Sequence, residues 1–152
     1  MGTELPAIVV TTDLSEQSLK AFGPARELAQ ALHAHIIVLT IVEDLSQAAM
    51  VGAMDFPVLP DPAIQKQVAQ RVRSELDKLA DGALHGLDYE TVVCEAHGPV
   101  HAEIVNYVRE RGAKYLIISR HGRSGLARMI LGSVTAKVAH EAPCPVLIVP
   151  EG

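Results

Sequence analysis

Residues 115–149 read YLIISRHGRSGLARMILGSVTAKVAHEAPCPVLIV, and they decide the fold class. Tyr115–Ser119 is a short, nearly continuous apolar run, the pattern of a strand covered on both faces. Ser133–Ala142 then places Val134, Val138 and Ala142 at helical spacing and stops before Pro143. Val146–Val149 is a second apolar run. Strand, helix, strand in that order predicts a βαβ unit, with parallel strands and a right-handed crossover.

The same alternation runs back to the start of the chain. Ala7–Thr11, Ile36–Val42 and Glu90–Glu95 read as strands. Glu16–His33 reads as one helix, with Leu19, Phe22, Ala29 and Leu32 along a side and Ser15 or Asp13 as its cap. Pro62–Ala83 carries Ile64, Val68, Val72, Leu76 and Leu79 at helical spacing, and Pro99–Arg111 begins on proline and ends at Gly112. The expectation is a single α/β domain over residues 1–152 around a parallel sheet. At 152 residues such a domain buries roughly 70% of its unfolded surface and needs no staple. Aromatic residues are 3% and Trp is missing, so the core has to be built from Val, Ile, Leu and Ala. Leu45–Pro60 has no clean period and is expected to be a long connection or flap.

Composition also excludes classes of function. A formal charge of −5 disfavours a nucleic-acid surface, and so few aromatics leave no platform for stacking bases. Cys94 and Cys144 lie far apart and form no metal-ligand pair; burial as small apolar side chains is expected. Met1 to Pro6 lacks a signal-peptide pattern, and no apolar run is long enough to span a bilayer, so a cytoplasmic location without membrane contact is expected.

Ligands of open α/β sheets sit beyond the carboxyl ends of the strands. After the first strand comes Thr11-Thr12-Asp13-Leu14-Ser15; after the fourth comes Arg120-His121-Gly122-Arg123-Ser124-Gly125, with Gly132-Ser133 opening the last helix. Gly132-Ser133 at a helix start offers unpaired amides and the positive end of the helix dipole. Ser133 and Thr135 add hydroxyl donors for phosphate oxygens, and Arg120, Arg123 and Arg128 form the most basic patch of an acidic chain. Neither a Walker A loop nor a dinucleotide fingerprint is present. An ordinary strand–helix loop with Ser133 as N-cap would use the same residues, so this segment alone does not decide.

Asp13 has two readings. It caps the first helix, with Glu16 completing a capping box, and it faces a ligand, contacting a base or holding Mg²⁺ directly or through water. His97 and His101 are four apart, but Gly98-Pro99 between them keeps them off one helical face and argues against zinc. His121, inside the loop, reads either as a donor to ribose or phosphate or as a plain loop residue. Ser124 and Ser133 lack a partner base, and Cys144 has only His140 nearby in sequence, so no catalytic set declares itself.

Gly122, nine intervening residues, then Gly132-Ser133, followed by Ala142-Pro143-Cys144-Pro145-Val146, resembles the universal stress protein family. Ile8 to Glu16 resembles the family's first strand and turn, and Gly98-Pro99 also matches; only Leu45–Pro60 falls outside the likeness. The resemblance implies a doubly wound, Rossmann-like sheet of five strands in the order 3-2-1-4-5. It implies an ATP or other adenine-nucleotide site in which Thr12, Asp13 and Ile41 border the base, with Ile118 nearby. Ser119, His121, Gly122, Arg123, Gly132, Ser133, Val134 and Thr135 would line ribose and phosphates. One departure is that Ser119 stands where the family's first motif glycine falls, crowding the ribose or adding a hydroxyl. The resemblance also implies a homodimer joined through the edge strand 146–149, acting as a stress-response sensor or regulator for some protein partner. Two other readings use the same residues: a dimeric interaction module without nucleotide, and a slow ATP hydrolase or nucleotidyl-transfer enzyme.

Overall fold

The computed structural model describes residues 4–43, 61–121 and 131–151. The expected flap at 45–60 lies outside them, as do Gly122, Arg123, Ser124 and Arg128 of the glycine loop. Five strands, β1 (Ala7–Thr11), β2 (His35–Val42), β3 (Tyr89–Glu95), β4 (Tyr115–Ser119) and β5 (Val146–Val149), form one parallel sheet in the order β3-β2-β1-β4-β5. The helices are α1 (Glu16–Leu19), α2 (Phe22–Leu32), α3 (Pro62–Ala83), α4 (Val100–Arg111) and α5 (Ser133–Glu141).

The strand pleat sorts the core into two layers, because successive side chains point to opposite faces. Ile8 and Val10 of β1 join Ile36, Val38 and Ile117 beneath Phe22, Ala25, Leu76 and Ala80 of α2 and α3. Val9 joins Ile37, Leu39, Leu116 and Ile118 beneath Ile104, Val108 and Val138 of α4 and α5. Ala21, Ala25 and Ala29 are buried along α2, and such small side chains let a helix lie close on a sheet that has few aromatics to fill gaps.

The helix expected over Glu16–His33 is two helices. Lys20 and Ala21 end the first with tight bonds to the carbonyls of Gln17 (3.4 Å) and Ser18 (3.2 Å). Pro24, in the first turn of α2, has no N–H to give to Lys20, and its ring excludes that carbonyl, so one continuous helix is barred. Pro99 proves to be the N-cap of α4 and Ala142 the C-cap of α5, so each helix is one residue shorter than expected. Among the described residues no helix is long and apolar enough to cross a membrane.

Among the described residues, the fully buried side chains of the long helix α3 lie in its second half. Leu76 is fully buried whereas Ile64 is 52% exposed. Leu76→Ala is therefore expected to lower stability by about 2–5 kcal/mol. Ile64→Ala should stay within about 0.5 kcal/mol of the wild type. Urea unfolding followed by circular dichroism separates the two.

Candidate functional site

The winding of the chain reverses at β1. The connection leaving β1 runs to the α2 and α3 face, and the one leaving β4 runs to the α4 and α5 face. Adjacent strand ends whose connections part in this way leave a crevice between them.

One wall is the turn after β1. Thr12 is buried; its N–H donates to the Leu39 carbonyl (3.0 Å) and its carbonyl accepts from Thr40 Oγ1 (2.6 Å). Thr12 Oγ1 accepts from the Leu14 amide (3.0 Å) and lies 2.7 Å from Ser18 Oγ. Ser18 spends its one hydroxyl proton on the Ser15 carbonyl (2.8 Å), so Thr12 is the donor between the two hydroxyls. This network holds Leu14 at φ 66°, a left-handed conformation that side chains rarely adopt. Ser15, not Asp13, caps α1, accepting from the Ser18 amide (3.2 Å). Asp13 Oδ1 instead accepts from the Ser15 amide (2.9 Å), a local turn that leaves the half-buried carboxylate beside the carboxyl end of β1. The capping box expected of Asp13 with Glu16 is thus replaced by a cap at Ser15.

The other wall is the end of β4 with the start of α5. Ser119 is buried, and its hydroxyl donates to the His121 carbonyl (2.8 Å), tightening the base of the loop. The imidazole of His121 is buried too, with Nδ1 3.2 Å from Glu151 Oε1, so this is no plain loop residue. Gly132 is the N-cap of α5, a place expected of Ser133. Its N–H donates to the Arg120 carbonyl (3.1 Å). A Cβ at Gly132 would stand 3.3 Å from that carbonyl oxygen and 3.6 Å from His121 Cα. Glycine favours this close approach, in which a Cβ would make the Arg120 carbonyl give way, while its φ of −55° suits any residue.

The first helical bond of α5 runs from Ala136 to Gly132 (2.9 Å), and no side chain caps the helix. Among the described residues, the amides of Ser133, Val134 and Thr135 are the first-turn donors with no backbone acceptor within the helix. Ser133 is exposed and Val134 half-buried. Thr135 is buried, and its hydroxyl donates to the Ser119 carbonyl (2.9 Å). The proton expected to reach a phosphate oxygen is thus spent on pinning α5 to β4, and Thr135 retains only its amide for a ligand. Ile118 is buried in the α4 and α5 layer, and Ile41 packs half-buried against the same layer. Sequence reasoning missed Ser18, which acts through Thr12 and Ser15 in the same turn, and Thr40 and Glu151, whose partners Thr12 and His121 lie far along the chain.

Other candidates fall away. His97 precedes the cap of α4, while His101 lies on that helix with Nε2 3.8 Å from Glu141. Among the described residues no three His, Cys, Asp or Glu side chains gather into a metal-holding group. Cys94 and Cys144 are free thiols packed against the α4 and α5 layer. Burial pushes both thiols up from their ordinary range, and the acidic side chains of Glu103 and Glu110 add to it at Cys94.

Comparison with known proteins agrees with this geometry. The family model described as Universal stress protein family matches residues 5–150. The chain is 30% identical over 145 residues to universal stress protein YxiE of Bacillus subtilis (strain 168), covering 93% of this chain and 97% of the relative. A universal stress protein solved in complex with cAMP is 26% identical, with TM-score 0.68 over 99% of this chain and 100% of the other. An Arabidopsis thaliana protein of the family with AMP bound shares the fold, with TM-score 0.62 at 15% identity, over 97% and 92% of the two chains.

Two measurements check these assignments. Gly132→Ala should destabilise by about 1 kcal/mol, since the new methyl would crowd the Arg120 carbonyl oxygen, part of the backbone; thermal unfolding reads it. Raised thiol pKa values mean less thiolate at any given pH, so at pH 8 both cysteines should react with a disulfide reagent more slowly than glutathione does.

Proposed function

Since the chain belongs to the universal stress protein family, we propose that it binds an adenine nucleotide between the ends of β1 and β4. The observation that carries this reading is the uncapped start of α5, drawn against the Arg120 and His121 backbone by Gly132, beside the Asp13 turn. Amides of Ser133, Val134 and Thr135 would receive phosphate oxygens, where the helix dipole also favours negative charge. Ser133 adds its exposed hydroxyl, and Gly122 and Arg123 complete the loop. Thr12 and Asp13 would border the base and sugar, with Ile41 and Ile118 supplying apolar surface. Cyclic AMP and AMP in structures of the family support an adenine nucleotide as ligand. ATP is the form we propose, with Asp13 contacting Mg²⁺ through water.

Ser119 is compatible with this ligand. Its hydroxyl turns to the His121 carbonyl, so the side chain is part of the loop base instead of an obstacle at the ribose. Turnover is expected to be slow, because among the described residues Asp13, the carboxylate in the turn after β1, is engaged by the Ser15 amide.

The output would be regulatory. Nucleotide binding shifts the population of loop conformations, and a cytoplasmic protein partner reads the shift during stress. The working unit would be a homodimer. β5 is an edge strand with Leu147 43% exposed, and pairing with a second copy removes that apolar edge from water.

Titration calorimetry of nucleotide-stripped protein with ATP, with and without Mg²⁺, tests the reading. Saturation near one nucleotide per chain is expected, and Gly132→Asp should abolish it while leaving the sedimentation of the dimer unchanged. Hydrolysis at ordinary enzyme rates, on the order of 10 per second, or no binding at millimolar ATP, would overturn it.

A further inference from the structure

We infer that Glu151 is a positioning residue for the nucleotide crevice, acting through His121 and tying the crevice to the edge strand β5. This inference rests on the nucleotide reading above for its ligand, and on geometry for the rest.

β4 and β5 pair from Leu116 with Val146 to Ser119 with Val149, and the Arg120 amide extends the ladder by donating to the Val149 carbonyl (2.8 Å). Beyond that bond the chain passes Pro150, whose ring fixes the backbone, and presents both ends of Glu151 to the site. The Glu151 carboxylate lies 3.2 Å from His121 Nδ1, and its backbone carbonyl accepts from Lys20 Nζ on the turn after α1. Residues Lys20, Arg120, His121 and Glu151 line one cleft of about 710 Å³ on that side of the sheet.

His121 is 5% exposed at its side chain, so its imidazole cannot turn to water for a replacement partner. At 3.2 Å the Glu151 carboxylate sets an acceptor and a negative charge against the Nδ1 side of the ring, which favours the orientation seen here. That ring belongs to the residue whose carbonyl accepts from Ser119 and whose Cα stands 3.6 Å from where a Gly132 side chain would begin. The neighbouring Arg120 carbonyl holds the Gly132 amide. The start of α5 therefore rests on the Arg120–His121 backbone, and Glu151 holds that backbone from the far side.

A consequence is coupling. Whatever orders Val149 to Glu151, including a second copy of this chain paired along β5, also orders the floor beneath Gly132. Nucleotide affinity and pairing at β5 should then favour each other, as linkage requires.

The test compares wild type, Glu151→Ala and Glu151→Gln. Two readouts are needed: the backbone amide signals of Gly132 to Thr135 by NMR without nucleotide, and the dissociation constant of AMP by calorimetry. Glu151→Ala should move those amides and weaken AMP about fivefold or more, while Glu151→Gln, whose amide oxygen still sets an acceptor against Nδ1, should restore both. A melting temperature lowered equally in both variants would mark a merely structural residue and overturn the inference. Amides that stay in place in Glu151→Ala, or an unchanged AMP constant in protein that binds AMP, would also overturn it. Wild-type protein that binds no AMP while the amides still move would remove the nucleotide reading and leave the hold of Glu151 on the loop standing.

Discussion

The bond from the Gly132 amide to the Arg120 carbonyl brings two backbones so close that a side chain at Gly132 would crowd that carbonyl. Much of the local architecture follows from that approach. It sets the start of α5 at the carboxyl end of β4, and Thr135 then reaches back to the Ser119 carbonyl. With α5 pinned twice, its first-turn amides face the crevice beside β1 with no side chain of the helix capping them. A helix start offers amide donors and the positive end of the helix dipole, which is the physical basis for the phosphate position proposed above.

The facing wall is built by a different device. Buried hydroxyls of Thr12, Ser18 and Thr40 satisfy one another and the turn backbone, so no water is needed to hold the Asp13 turn. A hydrogen-bonded turn of this kind also sustains the positive φ of Leu14, a conformation costing of order 1 kcal/mol where it lacks support. The turn after β1 is thus held by its own hydrogen bonds, and under the proposed reading less binding free energy is lost to ordering that wall.

Strand positions were legible because burial on both faces forces near-continuous apolar runs: Ala7–Thr11, Tyr115–Ser119 and Val146–Val149 lie where the pattern put them. Helix α3 was equally legible from its period. The break at Lys20 was missed because the apolar stripe continues across it, and Pro24 acts on a carbonyl four residues earlier. The candidate site was legible where it depended on chain-local chemistry, as with Gly132 at a helix start. It was misread where a side chain had two uses. Asp13 and Ser15 compete for one cap, and Thr135 has one proton for either a ligand or the Ser119 carbonyl.

By itself, then, the sequence determined the alternation of strands and helices, the two-sided burial of the sheet and, through the spacing of Gly122, Gly132 and Ser133, the family to which the loop belongs. Those are properties of residues near one another along the chain, where periodicity and steric rules act. Only the tertiary structure decided which hydroxyls are spent, which residue caps α1, and that Glu151 grips His121. Some of these pairs are neighbours, as Ser15 with Ser18, and some are remote, as His121 with Glu151, but each winner is set by distance in the folded molecule.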